Sequence, residues 1–415
     1  MPESPLSELR LRSDDPALAT LPYTLPLDAW TPTTAPLIET DLPASRHPVR
    51  IIETPLGRYA VKEMDTRLVE REWRILRLLA DRAVPAVRPV GIALRVDGTG
   101  LLLTRFATAT LTYRELFLRT SMRTDPYLER LLDALALLLV ELHRAGVFWG
   151  DASLANTLLR RDGDEMVALL VDAETAEAHP ALSDGQRSYD LDLAVEHVGM
   201  GLADIVIAKG RAEDADAMLE LAHDLERRYR ALYAELAVPV AVVAGDTHAL
   251  VARISRLEAL GYAVREASLA ADGSGAVLFV DAGGRTYSRD RLLRLAGITA
   301  GEGQARRLLA DLDAHRAWLA TTRGSSVAEA DAIAHWRLER LDPALTRLRT
   351  TLPARDPLQA FCDVLEHKWL LSQEAGRDIG LHAAIAAYLL AGAPAPESGP
   401  ASPELAKMER EREIA

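Results

Sequence analysis

The chain has 415 residues, a formal net charge of −13, 49% hydrophobic residues and 26% charged residues. This balance is typical of a globular protein of two or three domains and excludes a disordered or fibrous chain. Because an acidic chain repels phosphate backbones, we expect no nucleic-acid partner. The single cysteine, Cys362, excludes an internal disulfide and a cysteine-based zinc site. We predict that it is buried on a helix.

The sequence contains no candidate membrane span or signal peptide. The N-terminal stretch MPESPLSELRLRSDDPAL carries acidic residues and lacks an apolar centre. The longest apolar run, Ala134 to Val140, is flanked by charges and is much shorter than the roughly 20 residues of a spanning helix. We therefore expect no transmembrane segment and a cytoplasmic location.

The N-terminal part predicts an arm followed by a small sheet. Residues 1–48 form an extended arm that wraps the first domain, and their prolines break any regular element. The stretch VRIIETPLGRYAVKEM predicts two strands joined by a tight turn at Pro55–Gly57. A helix over about Thr66 to Arg82 follows, and two further strands surround the turn Asp97–Gly100. Four strands and one helix thus form an N-terminal lobe over residues 49–105.

The middle of the chain predicts a helical lobe over residues 106–236. Its first helix, Tyr127 to Ala145, is strongly apolar and ends at Gly146, because glycine tolerates the left-handed conformation that stops helices. A short hairpin follows, with strands NTLLRR and MVALLVD around the turn DGDE. Two further helices are predicted over about 189–208 and 211–236.

Residues 237–393 predict an α/β, mainly helical C-terminal region. It opens with an amphipathic helix and contains a hairpin around Gly283–Gly284, and helices cover most of the rest. The tail, residues 394–415, is rich in proline, serine, glutamate and lysine, and we predict that it is flexible. The fold class predicted from these elements is α+β.

The strongest chemical signal is the stretch FWGDASLANTLL, followed downstream by VDAET. Asp151 and Asn156 lie five residues apart in a loop after a buried helix, and Asp172 ends the second strand of the hairpin. Phosphoryl transfer from ATP needs a carboxylate near the attacking hydroxyl and oxygen ligands on magnesium. An Asp-x-x-x-x-Asn loop followed by a strand-terminal Asp supplies these groups, although each residue alone could simply cap a turn.

This pattern resembles the catalytic loop of protein-kinase-like enzymes, above all their antibiotic-phosphotransferase and lipopolysaccharide-kinase branches. Those branches use Gly-Asp, as in Gly150–Asp151, and often place an acidic residue two positions after the metal-binding Asp, as with Glu174. Other stretches resemble an uncharacterised bacterial family that joins a kinase-like domain to a C-terminal domain of unknown function: SRHPVR, YAVKEM, SDGQRSYDLDLA and LEHKWLLSQEAG. The resemblance implies a two-lobed protein-kinase-like fold, with a small antiparallel-sheet N-lobe and a helical C-lobe.

The resemblance also implies roles for individual residues. Asp151 would be the catalytic base, and ATP and Mg²⁺ would be the cofactors. The metal ligands would be Asn156, Asp172 and Glu174. Lys62, in the strand YAVKEM, would reach the α and β phosphates while a helix carboxylate orients it. Glu72 is preferred to Glu70 as that carboxylate because of its Glu-x-x-Ile-Leu context.

The helix that begins in YDLDLA resembles one whose Asp steadies the catalytic loop through backbone amides. Asp192 matches best and Asp190 is the alternative; either could simply be a favourable charge at a helix N-terminus. The ten histidines, including His47, His143 and His197, show no metal-binding spacing. We interpret them as capping, packed or solvent-exposed.

Three features depart from the kinase pattern. The loop between the first two strands has one glycine, Gly57, where a phosphate cradle would need several. Trp149 stands where many kinases have His, and an indole cannot accept a hydrogen bond. The spacing from Lys62 to Glu72 is also short for a protein kinase.

Two main functions follow. The first is an ATP- and Mg-dependent phosphotransferase that acts on an unidentified hydroxyl acceptor, which could be a small molecule, lipid, sugar or protein. The alternative is a nucleotide-binding pseudokinase scaffold that presents the C-terminal region to a protein partner. A third possibility is nucleotidyl transfer.

Overall fold

The computed structural model describes residues 5–40, 46–108, 110–113, 126–242, 247–271 and 276–394. The protein is α+β, with an antiparallel sheet in its N-terminal part and helices over most of the remainder. The tail that the sequence predicts to be flexible lies outside the described residues, apart from Pro394. No helix in these described ranges combines the length and the apolar character needed to cross a membrane.

The chain groups into two compact units, and neither is one continuous stretch of sequence. The first contains Met1–Glu115, Leu132–Arg160 and Ala168–Leu232. The second contains Leu116–Leu131, Arg161–Val167 and Tyr233–Ala415. The predicted hairpin after Asn156 therefore has its tip in the second unit and its two ends in the first.

A six-stranded sheet forms the N-terminal part of the first unit, with order β1-β5-β6-β4-β3-β2 and antiparallel neighbours. Helix α1 (Thr66–Asp81) connects β4 to β5. The strands are β1 (Leu6–Leu11), β2 (Leu37–Ile38), β3 (Val49–Thr54), β4 (Gly57–Asp65), β5 (Pro89–Arg95) and β6 (Thr99–Arg105).

The prediction that the N-terminal arm has no regular element is wrong. Strands β1 and β2 come from the arm and form the two edges of the sheet. Neither strand contains a proline, and β2 begins immediately after Pro36. The prolines therefore limit the length of these edge strands and do not prevent their pairing.

The arm packs its apolar residues on one face of the sheet. Leu18, Leu27 and Trp30 are buried there in a cluster with Val61 of β4. Because side chains alternate along a strand, the next residue, Lys62, points to the opposite face, where α1 lies. This alternation keeps the lysine away from the arm and directs it toward the candidate site.

A buried arginine fixes the arm to the sheet. Arg95 is 3% exposed and donates hydrogen bonds to the carbonyl oxygens of Tyr23 (2.8 Å) and Leu25 (2.6 Å). It also forms an ion pair with Glu63, whose carboxylate accepts the Leu27 N–H at 2.7 Å. The buried guanidinium is thus paired with a partly buried carboxylate, and the arm carbonyls have donors in place of water.

In the residues that the structure describes, short strands and long helices make up the rest of the first unit. The strands are β7 (Thr110–Thr112), β8 (Val147–Phe148), β9 (Thr157–Asp162), β10 (Glu165–Leu170) and β11 (Glu177–Ala178). The helices are α2 (Pro126–Arg144), α3 (Asp184–Ala208) and α4 (Ala215–Ala237). Parts of α2, of α4 and of the β9–β10 hairpin belong to the second unit. As predicted, α2 stops at Gly146, whose φ is +70°. Any side chain there would also collide with the carbonyl oxygen of His179.

The second unit contains a three-stranded sheet and a helical core. Its strands, in the order β12-β14-β13, are β12 (Val240–Val242), β13 (Tyr262–Ala271) and β14 (Ala276–Arg285). Its helices are α5 (Thr247–Ala259), α6 (Tyr287–Ala296), α7 (Glu302–Arg323), α8 (Glu329–Trp336), α9 (Asp342–Thr351), α10 (Pro357–Ala375) and α11 (Leu381–Leu390). Cys362 is buried on α10, as predicted.

The predicted hairpin turn at Gly283–Gly284 is wrong. Both glycines lie within β14, which pairs with β13 along most of its length. The pairing shifts register near Val264, and a Cβ on Gly283 would lie only 3.0 Å from the carbonyl oxygen of Ala263. The glycines therefore accommodate a bulge with close backbone approach and do not form a turn.

Within the second unit, the tip of the β9–β10 hairpin is fixed to two helices. Both carboxylate oxygens of Asp162 accept N–H groups from the first turn of α7, from Gly303 at 3.1 Å and Gln304 at 3.0 Å. Gly163 exchanges two hydrogen bonds of 2.8 Å with the side chain of Gln359 on α10. A side chain on Gly303 would collide with the backbone of Asp162, so the contact requires glycine.

We expect Arg95→Ala to destabilise the protein by about 3–5 kcal/mol, because it removes the ion-pair partner of the partly buried Glu63 and leaves two carbonyls of the arm without their donor. Urea unfolding followed by circular dichroism measures this effect. Arg50→Ala, at an exposed position of β3, is the matched control and should change stability by no more than about 0.5 kcal/mol. Equal effects of the two substitutions would contradict the role of Arg95.

We expect Asp162→Ala to cost about 1–3 kcal/mol, because two helix N–H groups lose their acceptor in a buried setting. Asp164→Ala removes a neighbouring carboxylate of the same turn that only pairs with Arg306 at a half-exposed position, and it should be nearly neutral. The same unfolding measurement compares the two. A larger loss for the Asp164 variant would refute this account of the hairpin tip.

Candidate active site

Lys62 lies at the centre of a cluster of carboxylates. Its Nζ is 3.1 Å from Oε2 of Glu72, 2.8 Å from Oδ2 of Asp172 and 3.7 Å from Oε2 of Glu174. Glu72 comes from α1 and is almost fully buried, whereas the two other carboxylates follow β10. Four of the predicted site residues therefore meet in one place, and Glu72, which the sequence favoured over Glu70, is the helix carboxylate that contacts the lysine.

Burial and ion pairing together set the protonation of this cluster. Burial raises the pKa of Glu72 to about 7, although Lys62 acts in the opposite direction. Burial disfavours the ammonium of Lys62, but Glu72 and Asp172 outweigh that effect and raise the pKa of Lys62. The lysine thus remains a cation that is fixed in position by carboxylates, which is the state needed to bind a phosphate.

Asp172 and Glu174 differ in their surroundings. Oδ1 of Asp172 accepts the backbone N–H of Glu174 at 2.9 Å, which fixes the turn after β10. Glu174 contacts two residues just before β3: Nε2 of His47 at 2.9 Å and, at 3.6 Å, the largely exposed Arg46. From the sequence, His47 was interpreted only as a capping, packed or solvent-exposed residue, although it lies in SRHPVR, one of the stretches that carry the family resemblance.

Asp151 and Asn156 form a second group. Nδ2 of Asn156 donates to Oδ2 of Asp151 at 2.9 Å, which leaves the amide oxygen Oδ1 available as a metal ligand. The carbonyl of Asn156 accepts the N–H of Val171 at 3.0 Å, next to Asp172 in sequence. The indole N–H of Trp149 donates to the carbonyl of Asp172 at 3.3 Å. The loop and the lysine cluster are therefore joined by two hydrogen bonds that backbone carbonyls accept.

A buried carboxylate fixes the backbone of the loop, and it belongs to Asp190. Its oxygens accept the N–H groups of Trp149 (2.6 Å) and Gly150 (2.7 Å). The preference for Asp192 is wrong, because that residue lies on the exposed side of α3. Two residues span about 200° of an α-helix, so only one of the two can face the loop.

His143 extends this buried arrangement. Its Nε2 lies 2.9 Å from Oδ2 of Asp190, and its Nδ1 lies 2.6 Å from the hydroxyl of Tyr229 on α4. Sequence reasoning interpreted His143 as a packed or capping residue and missed its place beside Asp190. Its position three residues before the Gly146–Gly150 segment was the available signal, but the partners come from distant helices.

The turn between β3 and β4 is too short to enclose phosphates. Thr54 pairs with Gly57, which leaves a two-residue turn. The guanidinium of Arg105 covers it by donating to the carbonyl of Leu56 at 2.5 Å, and it fills the space where a side chain on Gly57 would lie. This agrees with the scarcity of glycine in the sequence. In the described part of the chain, no group of three or more His, Cys, Asp or Glu side chains is arranged to hold a metal.

Comparisons with known proteins cover the two parts of the chain separately. A family model described as a domain of unknown function, DUF4032, matches residues 231–391, which is less than half of the chain. No curated protein matches. Among solved structures, one described as "WaaP in complex with acyl carrier protein" is 21% identical over 55% of this chain and 99% of that chain, with a TM-score of 0.35. None of these comparisons assigns a reaction or a ligand to this chain.

Proposed function

We propose that this chain is an ATP- and Mg²⁺-dependent phosphotransferase with a hydroxyl acceptor. The observation that carries the proposal is the contact of one largely buried lysine with both a helix carboxylate and the carboxylate after the hairpin. Lys62 bonds Glu72 and Asp172 in this way. In protein kinases a strand lysine paired with a helix glutamate aligns the phosphates of ATP.

The donor atoms of the site suit magnesium. Mg²⁺ prefers oxygen ligands and commonly takes only one or two carboxylates from the protein, with phosphates and water completing its shell. Asp172 and the amide oxygen of Asn156 would hold it, and Glu174 is a further carboxylate beside them. The bound ion would neutralise charge on the phosphates. A site of this kind needs no preformed cluster of three acidic or histidine side chains.

In this proposal, Asp151 is the group that accepts a proton. Its side chain is 39% exposed, so an acceptor can reach it, while Asn156 fixes one of its oxygens. In the proposed reaction the acceptor hydroxyl gives its proton to Asp151, its oxygen bonds the γ-phosphorus of ATP, and ADP leaves. The proposal leaves the acceptor as a small molecule, sugar, lipid or protein. It also includes a cytoplasmic location.

The short turn before Gly57 favours a second candidate function. Without a glycine-rich loop over the phosphates, the chain could hold nucleotide without turnover and act as a scaffold for a protein partner. Incubation with γ-labelled and, separately, α-labelled ATP separates the possibilities. Label transferred only from the γ position supports phosphoryl transfer, label from the α position supports nucleotidyl transfer, and no transfer favours the scaffold.

ATP should raise the melting temperature only when Mg²⁺ or Mn²⁺ is present, because the metal would bridge the phosphates and Asp172. At 100 times its dissociation constant, a ligand stabilises the folded state by about 2.7 kcal/mol. Asp172→Asn should remove most of the metal-dependent shift, whereas Asp192→Asn, at an exposed position of α3, should retain it. A nucleotide shift that is the same with and without metal would contradict the proposal.

Asp151→Asn should strongly reduce turnover and leave nucleotide binding intact. General-base catalysis contributes about 10²–10⁴-fold, so ATP consumption should fall by that factor while the thermal shift with ATP and Mg²⁺ persists. The two proteins are compared at matched folded fraction. Equal activity of wild type and variant would remove Asp151 from the catalytic role.

A further inference from the structure

One face of α3 lies against the loop that contains Trp149, Asp151 and Leu154. Asp190 binds the N–H groups of Trp149 and Gly150, and Nδ1 of His197 lies 3.3 Å from Oδ1 of Asp151. Gly201 packs on Leu154, since a Cβ there would meet the leucine side chain at 3.0 Å. The three α3 positions are seven and four residues apart, so they lie on one side of the helix.

The imidazole of His197 has an unsatisfied atom directed at this loop. Its Nδ1 is buried and makes no hydrogen bond within the described residues, although Oδ1 of Asp151 is only 3.3 Å away. A buried polar atom without a partner costs about 1–3 kcal/mol, so its presence needs an explanation. A small rotation of either side chain would complete the bond.

We propose that His197 is a positioning residue for Asp151, an inference that rests on the proposed phosphotransferase function. Nδ1–H of His197 donates to Oδ1 of Asp151, while Nδ2 of Asn156 donates to Oδ2. Bonds on both oxygens fix the plane of the carboxylate and direct its remaining lone pairs toward the acceptor hydroxyl. His197 touches neither acceptor nor ATP and acts only through Asp151.

The test compares three variants in steady-state ATP turnover at matched folded fraction. We expect His197→Ala to lower kcat by about 10- to 100-fold, as misplacement of a catalytic group does, and to leave KM for Mg-ATP within about twofold. His197→Asn should recover most of kcat, because its amide N–H₂ can donate from near the position of Nδ1. Glu196→Ala, the exposed neighbour on α3, is the control and should match wild type.

A double variant separates positioning from general structural damage. If His197 acts through Asp151, Asp151→Asn with His197→Ala should be no slower than Asp151→Asn alone, because residues that act as a unit are not additive. An additive further loss, or wild-type kcat in His197→Ala, would overturn the inference.

A second measurement does not need activity. The imidazole nitrogen signals of His197 are compared by NMR between wild type and Asp151→Asn at one fixed pH. If Nδ1–H donates to Asp151, the Nδ1 signal should shift when the carboxylate is replaced by an amide; an unchanged Nδ1 signal would overturn the pairing even if His197→Ala is inactive or fails to fold. If wild type consumes no ATP, the proposed function fails, and the NMR comparison alone then decides whether the two side chains interact.

Discussion

The candidate site depends on the cost of burying the ammonium group of Lys62. A buried cation is tolerated only when carboxylates surround it and replace its lost hydration. Glu72 from α1 and Asp172 after β10 provide this compensation. Because these residues are far apart in sequence, the pairing ties the sheet, its helix and the end of the hairpin to one point. The same pairing leaves a fixed positive charge beside two groups of carboxylate and amide oxygens.

A second buried carboxylate, that of Asp190, fixes the backbone of the loop that leads to Asp151. Asp190 is fully buried, and its hydrogen bonds go to two backbone amides and to the imidazole of His143. Backbone amides do not depend on the identity of the loop side chains, so Trp149 can occupy its position without disturbing the arrangement. The indole then contributes a hydrogen bond of its own, to the carbonyl of Asp172. The departure at Trp149 from the kinase pattern is thus structurally compatible with an ordered loop.

What could be predicted from the sequence was local. Asp151, Asn156 and Asp172 share one loop and hairpin, so their spacing indicated that they belong to one site, and the resemblance to protein-kinase-like enzymes indicated that Lys62 pairs with Glu72. The choice between Asp190 and Asp192 depended on how α3 is rotated against the loop, which no short motif encodes. His143, His47 and His197 find their partners through tertiary packing. The bulge at Gly283 depended on a neighbouring strand.

The tip of the β9–β10 hairpin belongs to the C-terminal compact unit, although it lies far from most of that unit in sequence. The DUF4032 model begins at residue 231, yet residues 161–167 belong to the same compact unit as the residues it matches. A chain that ended at residue 231 would lack α7 and α10. Asp162, which is now buried, would lose its hydrogen-bond partners, and the backbone of Gly163 would become exposed. The hairpin ends that carry Asn156 and Asp172 would then be linked by an unanchored loop. The family boundary and the boundary of the compact unit therefore fall at different places in this chain. An insertion in the hairpin tip would destabilise the second unit, although the tip lies outside the residues that the family model matches.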